Sequence, residues 1–455
     1  MDFQKLFEPK TLAVVGVSLS NDRHPANVVF NKNRLRYPLA VYGVNPKGGQ
    51  LHRSEIFSRV SDIPEKIDLA VIAVRADLVP EVLLECIESG AEGAVVISGG
   101  FAETGNKDLQ DRMAAIAREA DFPLVGPNCL GIYSPEYVDT FFLPSERMVY
   151  PAKGNIALVS QSGGVLVDQM INMADEGVGL SVAISVGNKA LIKEVDLIGY
   201  LSAHPKTDVI AFYLEGFEKN GGRDFVLAAR ECGKPVIALK SGRTAEGGRA
   251  VSSHTASLAG DYKVFSEVLS QYGLVEATSQ FELISFCEAL SCYQKPIGDR
   301  IGIITGSGGH GALAVDVCAS HGLSVPRISK ALQEEIRAGL SRGVQPIAAL
   351  GNPIDLTGSA VDDDFMAAAT CLSQSDEIDC ILTLVLPYSP GTTSDLGARL
   401  SRIYLREGKP MVAYVPHLEK YRMLIEGFEL NRTPVSPAIE GAVLMAEALR
   451  RCQPC

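Results

Sequence analysis

The stretch GNIALVSQSGG, residues 154–164, decides the fold class of this chain. A short apolar run, 156–159, ends in small polar residues and two glycines, and a longer segment with helical apolar spacing follows. A buried strand, a tight turn and a helix, in that order, form the repeating unit of parallel sheets that are covered by helices on both faces. The same order recurs at TLAVVGV (11–17) and at IGIITGSGGHG (301–311). The sequence therefore predicts an α/β fold made of open, doubly wound parallel sheets.

The strand-like runs fall into three blocks, which predict three domains at residues 1–147, 148–295 and 296–455. The second block closes with YGLVEATS and the helix-like QFELISFCEAL, and the polar connector YQKPIGDR then marks a boundary. The third block continues through LSVPRIS, NPIDLTG, CILTLVLP and PMVAYVP, which we expect to be strands. At 455 residues, the chain is long enough for about three domains.

Composition excludes several classes of protein. A formal net charge of −12 disfavours a broad nucleic-acid or anionic-membrane surface, although a local basic pocket for a phosphorylated ligand remains possible. No apolar run approaches about 18 residues and no signal-peptide pattern opens the chain, so we expect a cytoplasmic protein without a membrane span. The ten cysteines are scattered singly, as in Cys86, Cys318 and Cys380, which is typical of reduced, core-filling thiols. Cys452 and Cys455 lack partners at zinc spacing, and we expect no metal site in this chain.

Ligands of open α/β sheets gather at the carboxyl ends of the strands. In the first block these ends carry glycines, small polar residues and two cations that together describe a nucleotide-binding rim, although each one alone could be an ordinary turn. The loop after the first strand is not a full GxGxxG, since Ala26 stands where glycine is expected, and Lys47 stands where a NAD-binding domain would have an acid. The candidate residues are Gly16, Ser18, Lys47, Arg75, Ser98, Gly99, Asn128 and Cys129.

The second block carries a sharper set. The turn of Ser160, Gln161, Ser162, Gly163 and Gly164 opens a helix, so its backbone amides can approach an anion. Glu215 ends a strand in YLEG, and His254 lies in SSHTASLAG, which we expect to be a loop leading to the next helix. A phosphoryl group could rest on His254 while Glu215 fixes the ring's tautomer. Alternatively, the histidine only bonds backbone near the start of a helix, and the glutamate only caps or forms an ion pair.

Five motifs carry a resemblance to a known family: GPNCLG (126–131), SQSGG (160–164), ISVGN (184–188), YLEG (213–216) and SSHTASLAG (252–260). Over residues 1–451 the chain resembles the α subunits of ADP-forming acetyl-CoA synthetases, the NDP-forming acyl-CoA synthetases of the succinyl-CoA synthetase superfamily. The resemblance implies a Rossmann-like CoA-binding domain followed by two flavodoxin-like domains. It also implies that His254 is transiently phosphorylated, that Glu215 supports it, and that the SQSGG turn holds phosphate.

The resemblance further implies a reversible reaction and a partner. Acyl-CoA, NDP and phosphate would be interconverted with a small carboxylic acid, CoA and NTP through acyl phosphate and phosphohistidine. No GxxxxGK[ST] motif is present, so ATP/ADP or GTP/GDP and Mg²⁺ would be bound by a separate ATP-grasp β subunit in an α2β2 assembly. The third block would dock against that partner and shape the phosphate path around Ser307, Gly308 and Gly309. The chain departs from the family pattern at three positions: Ala26, Ala256 and His310.

Two other functions remain open at this point. The chain could be a non-catalytic subunit that binds or senses CoA or acyl-CoA, with His254 never phosphorylated. It could also be an NAD(P)-dependent oxidoreductase, which Lys47 and the incomplete glycine triplet disfavour. Phe141 and Phe142 would line an acyl channel or pack a domain junction.

Overall fold

The computed structural model describes residues 1–218, 220–254 and 261–452, and of residues 252–254 it describes the backbone alone. The chain divides into two compact units, Met1–Glu276 and a second unit that begins at Ala277. Each unit is built from parallel sheets flanked by helices, as the apolar runs predict. In the part of the chain that is described, no helix combines the length and apolarity needed to cross a bilayer.

The first sheet has seven strands in the order β3-β4-β2-β1-β5-β6-β7, all parallel to their neighbours except the β3–β4 pair. Its strands are β1 Thr11–Val15, β2 Ala40–Val44, β3 Gly49–Leu51, β4 Ser54–Phe57, β5 Leu69–Ile72, β6 Ala94–Val96 and β7 Leu124–Val125. Its helices are α1 Gln4–Phe7, α2 Pro25–Arg36, α3 Val79–Glu88 and α4 Lys107–Glu119. Alternate residues of β1 enter different hydrophobic clusters, Val14 one and Ala13 the other, because both faces of the sheet are buried.

The second sheet has the order β14-β13-β12-β10-β11-β8-β9. Its strands are β8 Gly131–Ser134, β9 Val138–Asp139, β10 Lys153–Ser160, β11 Leu180–Ser185, β12 Val209–Leu214, β13 Val236–Lys240 and β14 Val275–Ala277. Its helices are α5 Gly163–Asp175, α6 Glu194–Ala203, α7 Gly221–Glu231, α8 Ala245–His254 and α9 Tyr262–Gln271. Strand β8 pairs antiparallel with β11, so this edge of the sheet is mixed.

The third sheet, in the second unit, is wholly parallel in the order β16-β15-β17-β18-β19. Its strands are β15 Ile301–Thr305, β16 Ile354–Asp355, β17 Cys380–Leu384, β18 Met411–Tyr414 and β19 Val435–Ser436. The helices of this unit are α10 Gln280–Cys292, α11 Gly308–Ser320, α12 Lys330–Gly339, α13 Asp362–Gln374, α14 Leu396–Glu407, α15 Arg422–Glu429 and α16 Ile439–Arg451. The expected strand at LSVPRIS was wrong: only Ser324 forms a bridge, to Arg300, and Pro326 has no N–H for a ladder.

The α/β class and the three successive parallel-dominated sheets are confirmed, whereas the domain boundaries at 147 and 295 stay predictions. The chain already joins the second sheet at Gly131, through β8. Helix α10, predicted to close the second block, packs within the second unit, where the Glu288 carboxylate accepts from the Val435 amide at 2.7 Å. Apolar periodicity locates strands and helices but does not show which sheet a terminal element joins.

The three cysteines quoted above are buried in hydrophobic surroundings. Burial raises the pKa of the Cys86, Cys318 and Cys380 thiols to about 12 each. Thiols with such pKa values stay protonated and unreactive near neutral pH, which confirms that these three fill the core.

Candidate active site

The first strand of each βα repeat, β1, β10 or β15, lies beside a topological switch point of its sheet. Strand β1 lies between β2 and β5, β10 lies between β11 and β12, and β15 lies between β16 and β17. At a switch point, the connections from two adjacent strands run in opposite directions, and this creates a crevice at the carboxyl ends of the strands. Three of the glycine-bearing turns singled out from the sequence, at Gly16, at Gly163 and at Gly308, follow these three strands.

The turn after β10 is closed by the two serines at its ends. The Ser160 hydroxyl donates to the Ser162 carbonyl at 2.7 Å and accepts from the Ser162 amide at 3.2 Å. Ser162 is the N-cap of α5, and its hydroxyl accepts from the Val165 amide at 3.4 Å. Among the described residues, the Gly163 and Gly164 amides have no acceptor, and they lie at the positive end of a 13-residue helix. An anion would meet those two N–H groups first.

The surroundings of Gly163 and Gly164 differ in what a side chain at each position would contact. A Cβ at Gly163 would lie 3.0 Å from the Leu130 side chain, so packing behind the turn excludes a larger residue. A Cβ at Gly164 would meet nothing within 4 Å. The absence of a side chain at Gly164 therefore leaves open space in front of the helix.

Gln161, one of the predicted phosphate-binding residues, forms bonds within the protein, and its contact with phosphate stays a prediction. Its backbone N–H donates to the Tyr213 carbonyl at 3.2 Å, as part of the sheet edge. Its side-chain oxygen accepts from the Glu215 and Gly216 amides, the second at 3.0 Å, and its Nε2 donates to the Gly216 carbonyl at 3.0 Å. Since both ends of the amide are occupied within the protein, Gln161 ties the 160–164 turn, the predicted phosphate turn, to the segment that carries Glu215.

Glu215 follows β12 directly and is only 6% exposed. Lys240, at the end of the neighbouring strand β13, donates its Nζ to the Glu215 carbonyl at 3.3 Å and to the Ser241 carbonyl at 2.9 Å. Burial lowers the pKa of Lys240, while the negative charge of Glu215 partly opposes this and the positive charge of Lys189 adds to it. The site thus combines buried carboxylates with buried ammonium groups.

Sequence analysis missed Lys189 and Glu194. The Lys189 ammonium contacts the Glu194 carboxylate, both residues are buried, and Lys189 also donates to the Gly216 carbonyl at 2.7 Å. Gln161 donates to the same Glu194 oxygen at 3.1 Å. The sequence feature that could have indicated this pair is Lys189 directly after the ISVGN motif, with Glu194 five residues later at the start of a helix.

His254 is the last residue of α8 and not part of a loop as expected. Segment 245–254 forms a helix whose first turn is capped by Thr244, since the Thr244 hydroxyl accepts from the Gly247 amide at 3.0 Å. The turn before this helix is tied to β12 by the Ser241 amide, which donates to the Leu214 carbonyl at 2.9 Å. The His254 side chain and Ala256 lie outside the described residues, so their predicted contacts stay predictions.

In the first domain, the turn after β1 requires its glycine. Gly16 has φ +102°, and a Cβ there would lie 2.5 Å from the Ala73 carbonyl oxygen. The Ser18 hydroxyl accepts from the Asn21 amide at 3.1 Å and shapes the following loop. Lys47 is exposed at the carboxyl end of β2. These three positions share one edge of the first sheet.

The remaining rim residues follow β5, β6 and β7. Arg75 forms an exposed ion pair with Asp77, at 2.7 Å. The Ser98 hydroxyl donates to the Val74 carbonyl at 2.6 Å, and a Cβ at Gly99 would lie 3.4 Å from the Asn128 side chain, so these two loops are adjacent. Asn128 is exposed and has φ +57°.

The Cys129 thiol is buried in the core and donates to the Val96 carbonyl at 3.3 Å, so any contact of Cys129 with a rim ligand would use its backbone, and its place in the predicted set stays a prediction. Burial raises the pKa of this thiol to about 12. A side chain facing the core cannot contact a ligand at the rim.

A cleft of about 600 Å³, which sequence analysis did not find, opens beside the rim in the first domain. Its lining includes two carboxylates, which suit a ligand's neutral or hydrogen-bond-donating part better than its phosphates. The lining residues are Ala76, Asp77, Gly100, Gly105, Asn106, Asp108 and Leu109. Over the residues described, no cluster of three or more His, Cys, Asp or Glu side chains is arranged to hold a metal ion.

Comparison with known proteins follows the three-block organisation. Residues 10–135 match a CoA binding domain, residues 153–290 a succinyl-CoA ligase like flavodoxin domain, and residues 301–393 a ligase-CoA domain. The chain is 33% identical to acetate–CoA ligase (ADP-forming) I subunit alpha of Pyrococcus furiosus, over 99% of this chain and 97% of the relative. It is 37% identical over 84% of its length to acetate–CoA ligase (ADP-forming) I of Archaeoglobus fulgidus and spans 55% of that relative.

A solved structure agrees over the same extent. The dinucleotide-forming acetyl-coenzyme A synthetase 1 of Candidatus Korarchaeum cryptofilum, in complex with phosphate and ADP, has a TM-score of 0.89 and 30% identity, covering 99% of this chain and 96% of that one. The fold and its switch-point turns define a CoA ligase of the succinyl-CoA ligase type. Within that class, the chain belongs to the family of ADP-forming acetate–CoA ligase α subunits, which confirms the resemblance drawn from the motifs.

Proposed function

We propose that this chain is the catalytic α subunit of an NDP-forming acyl-CoA synthetase, an acid–thiol ligase. It interconverts acyl-CoA, NDP and phosphate with a carboxylic acid, CoA and NTP. The observation that carries the proposal is the end-to-end match, 97% of the relative, to an α subunit of an ADP-forming acetate–CoA ligase. The Gly163 and Gly164 amides at the start of α5, which have no acceptor among the described residues, supply donors that this reaction requires.

The first step places phosphate at the Gly163 and Gly164 amides. A phosphate oxygen attacks the thioester carbonyl, the carbon–sulfur bond breaks, and the CoA thiolate leaves and takes up a proton. Acyl phosphate remains on the helix N-terminus, where the dipole and the two N–H groups stabilise its charge. None of the described cysteines is needed in this step, since CoA supplies the thiol.

In the second step, an imidazole nitrogen of His254 attacks the phosphorus, and the bond from phosphorus to the acyl oxygen breaks. The carboxylate leaves as the acid, and phosphohistidine remains. The Glu215 carboxylate accepts the hydrogen bond of the other ring N–H, which fixes the tautomer and stabilises the charge that develops on the ring. Buried Glu215 beside the phosphate turn supports this role, because its amide is bonded to Gln161 of that turn.

CoA binds along the rim of the first domain in this proposal. Gly16 and Ser18 allow backbone approach to the diphosphate, and Lys47 offers an exposed cation to a ribose phosphate. The loops after β5, β6 and β7 form the rest of the wall through four residues: Arg75, Ser98, Gly99 and Asn128. Arg75 must exchange its bond to Asp77 for a ligand oxygen, which the 77% exposure of its side chain permits.

The nucleotide half of the reaction belongs to a β subunit of the ATP-grasp class, in an α2β2 assembly, with Mg²⁺ on the nucleotide. Two observations support a partner: the Pyrococcus relative is named as a subunit, and the Archaeoglobus relative is nearly twice as long as its matched part. Phosphohistidine would pass its phosphoryl group to NDP on that subunit. Phosphoryl transfer of this kind depends on positioning and charge neutralisation.

The test uses the full chain with its β subunit and γ-labelled ATP. We expect acid-labile, base-stable label on the α chain that ADP discharges and that His254→Asn abolishes. His52→Asn is the matched control, because His52 lies on the surface, where its ring nitrogen contacts the Asp22 carboxylate at 3.0 Å. Label that persists in the His254→Asn protein would show that another residue is the nucleophile. CoA binding without any label in the wild-type protein would favour a CoA-sensing subunit.

A further inference from the structure

The loop 186–190 runs between the predicted CoA rim and the phosphate turn. The Val186 amide donates to the Ser160 carbonyl at 2.9 Å, and the Asn188 amide donates to the Pro127 carbonyl at 2.9 Å. Gly187 has φ +54°, and a Cβ there would lie 2.3 Å from the Pro127 oxygen, so only glycine fits between the two segments. Both sites therefore share this loop as a wall.

Two successive side chains of the loop face these two sites. Asn188 accepts from the Asn128 amide group at 3.3 Å and donates to Gln110 at 2.9 Å, on the side of the CoA rim. Lys189 has φ +44°, an unusual backbone conformation for a non-glycine residue. Its ammonium instead contacts Glu194 and Gly216, on the side of the phosphate turn.

The backbone of Glu215 and Gly216 is held by three side chains: Lys240 and Gln161 bond the peptide between the two residues, and Lys189 and Gln161 bond the peptide after Gly216. Lys189 and Gln161 both donate to the Gly216 carbonyl, and Lys240 donates to the Glu215 carbonyl. Gln161 also accepts from both amides, so every backbone polar group of these two residues is bonded. The Glu215 carboxylate is therefore attached to a backbone segment that cannot rotate without breaking several hydrogen bonds at once.

Lys189 differs from Lys240, the other buried ammonium group of this set, because it contacts a second buried carboxylate, Glu194, as well as a backbone carbonyl. The Lys189 side chain is 8% exposed and the Glu194 side chain 5%, so the pair is buried, and each partner forms a further hydrogen bond. A buried donor that carries a full charge forms a shorter and stronger bond to a carbonyl than a neutral amide does. Loss of the ammonium would leave the Glu194 carboxylate buried without its counter-charge and the Gly216 carbonyl with one donor fewer.

We propose that Lys189 is a positioning residue for phosphoryl transfer: by bonding the Gly216 carbonyl it fixes the backbone directly after Glu215 and so aims the Glu215 carboxylate, from a loop whose preceding residue, Asn188, shapes the CoA rim. The inference rests on the proposed function, since Glu215 has a role to aim only if His254 is phosphorylated. Lys189 itself touches neither substrate nor the reacting atoms.

The test compares Lys189→Met with Asn188→Ala in the full chain with its β subunit. For Lys189→Met we expect kcat for acetyl-CoA-dependent ATP formation to fall on the order of 10- to 100-fold, because a small misplacement of a supporting group costs that much, with the KM for CoA within about twofold. Phosphoenzyme formation from γ-labelled ATP should slow by the same factor. For Asn188→Ala we expect the opposite split, a KM for CoA raised about 5- to 10-fold with little change in kcat.

Lys193→Met is the matched control, since Lys193 lies four residues along and forms an exposed ion pair with Glu218. Glu194→Gln covers the case in which Lys189→Met fails to fold, because it keeps an acceptor for Gln161 and Lys189 while removing the charge. We expect a smaller loss of kcat, about 3- to 10-fold, with the KM for CoA again unchanged.

The outcomes separate the two proposals. Normal kcat in both Lys189→Met and Glu194→Gln overturns the positioning role while wild-type labelling upholds the proposed function. Equal changes in kcat and in the KM for CoA, with a matching loss of thermal stability, would make Lys189 purely structural and also overturn it. Label that survives in His254→Asn, by contrast, removes the proposed function itself.

Discussion

The turns after β10 and β15 share one backbone design and differ in their surroundings. In the first, the Ser160 hydroxyl donates to the Ser162 carbonyl, and in the second the Thr305 hydroxyl donates to the Ser307 carbonyl at 3.2 Å. The return bonds match as well, since the Ser307 amide donates to Thr305 at 3.1 Å. Both turns then open 13-residue helices with two glycines. Local sequence thus specifies the same strand–turn–helix geometry twice.

The surroundings give the two turns different electrostatics. Position 161 carries a glutamine that bonds the Glu215 segment, whereas the matching position 306 is glycine and has no side chain. Behind Gly163 lies the apolar Leu130, but a Cβ at Gly308 would lie 2.9 Å from a carboxylate oxygen of Asp355. A carboxylate near a helix N-terminus partly neutralises the positive end of the helix dipole, which leaves a weaker attraction for an anion. The comparison teaches that turn geometry alone does not define a phosphate site.

The largest expected effect separates Gln161 from Gly306. Gln161→Leu removes the acceptor of two amides and a donor to the Gly216 carbonyl, which we expect to lower the free energy of unfolding by about 1–3 kcal/mol and kcat by on the order of 100-fold. Urea unfolding and ATP formation with the β subunit measure the two effects. Gly306→Ala is the counterpart, and its Cβ would meet only ordinary contacts, the nearest at 3.5 Å. Equal loss in both variants would break the comparison.

A second prediction compares Gly164 with Gly309. A methyl group at Gly164 meets nothing within 4 Å, and one at Gly309 meets only the Ser307 hydroxyl, at 3.9 Å, so the protein accommodates both. We expect Gly164→Ala to raise the KM for phosphate about 10-fold, since the methyl group occupies the space in front of the α5 amides, and Gly309→Ala to change it less than about twofold. Initial rates at varied phosphate check this. A larger effect at Gly309 would place the phosphate on the other turn.

A third prediction concerns the carboxylate beside the second turn. Asp355→Asn keeps an acceptor for the Thr357 amide, which donates to Asp355 at 2.9 Å, and removes the negative charge. Because we place phosphate at the first turn, we expect the KM for phosphate to stay within about twofold. A severalfold fall in the KM for phosphate would show that the Asp355 charge repels a phosphate held at the start of α11.

Much of this arrangement could be predicted from the sequence. The α/β class, the three successive sheets and the positions of SQSGG and Glu215 follow from apolar runs that end in small residues, because such runs are buried strands and their ends meet at one edge. The strand with which each terminal strand of a sheet pairs cannot be predicted from apolar runs. Strand β8 joins the second sheet through antiparallel pairing with β11, a long-range contact that leaves no local periodic signal.

The site was predicted less completely for a related reason. Gln161 and Cys129 lie in turns at the carboxyl ends of strands, as predicted, but one side chain is bonded inside the protein and the other faces the core. Conversely, Lys189 and Glu194 form a buried pair that sequence alone would place on a solvated surface, since charged residues are seldom buried. Whether a polar side chain faces ligand, solvent or core depends on tertiary packing, and a motif fixes only its position along the chain.

The smallest expected effect lies in the two serine N-caps. Ser162 accepts from the Val165 amide, a bond to the first turn of α5, whereas Ser307 makes no such bond and its hydroxyl meets the His310 ring at 3.1 Å. Ser162→Ala should therefore lower the free energy of unfolding by about 1 kcal/mol and Ser307→Ala by about 0.5 kcal/mol or less. Urea unfolding of the full chain, with amide exchange in α5 and α11 to localise each change, measures the difference. If Ser307→Ala costs as much as Ser162→Ala, the His310 contact serves as the cap of α11, and the two turns are more alike in stability than in charge.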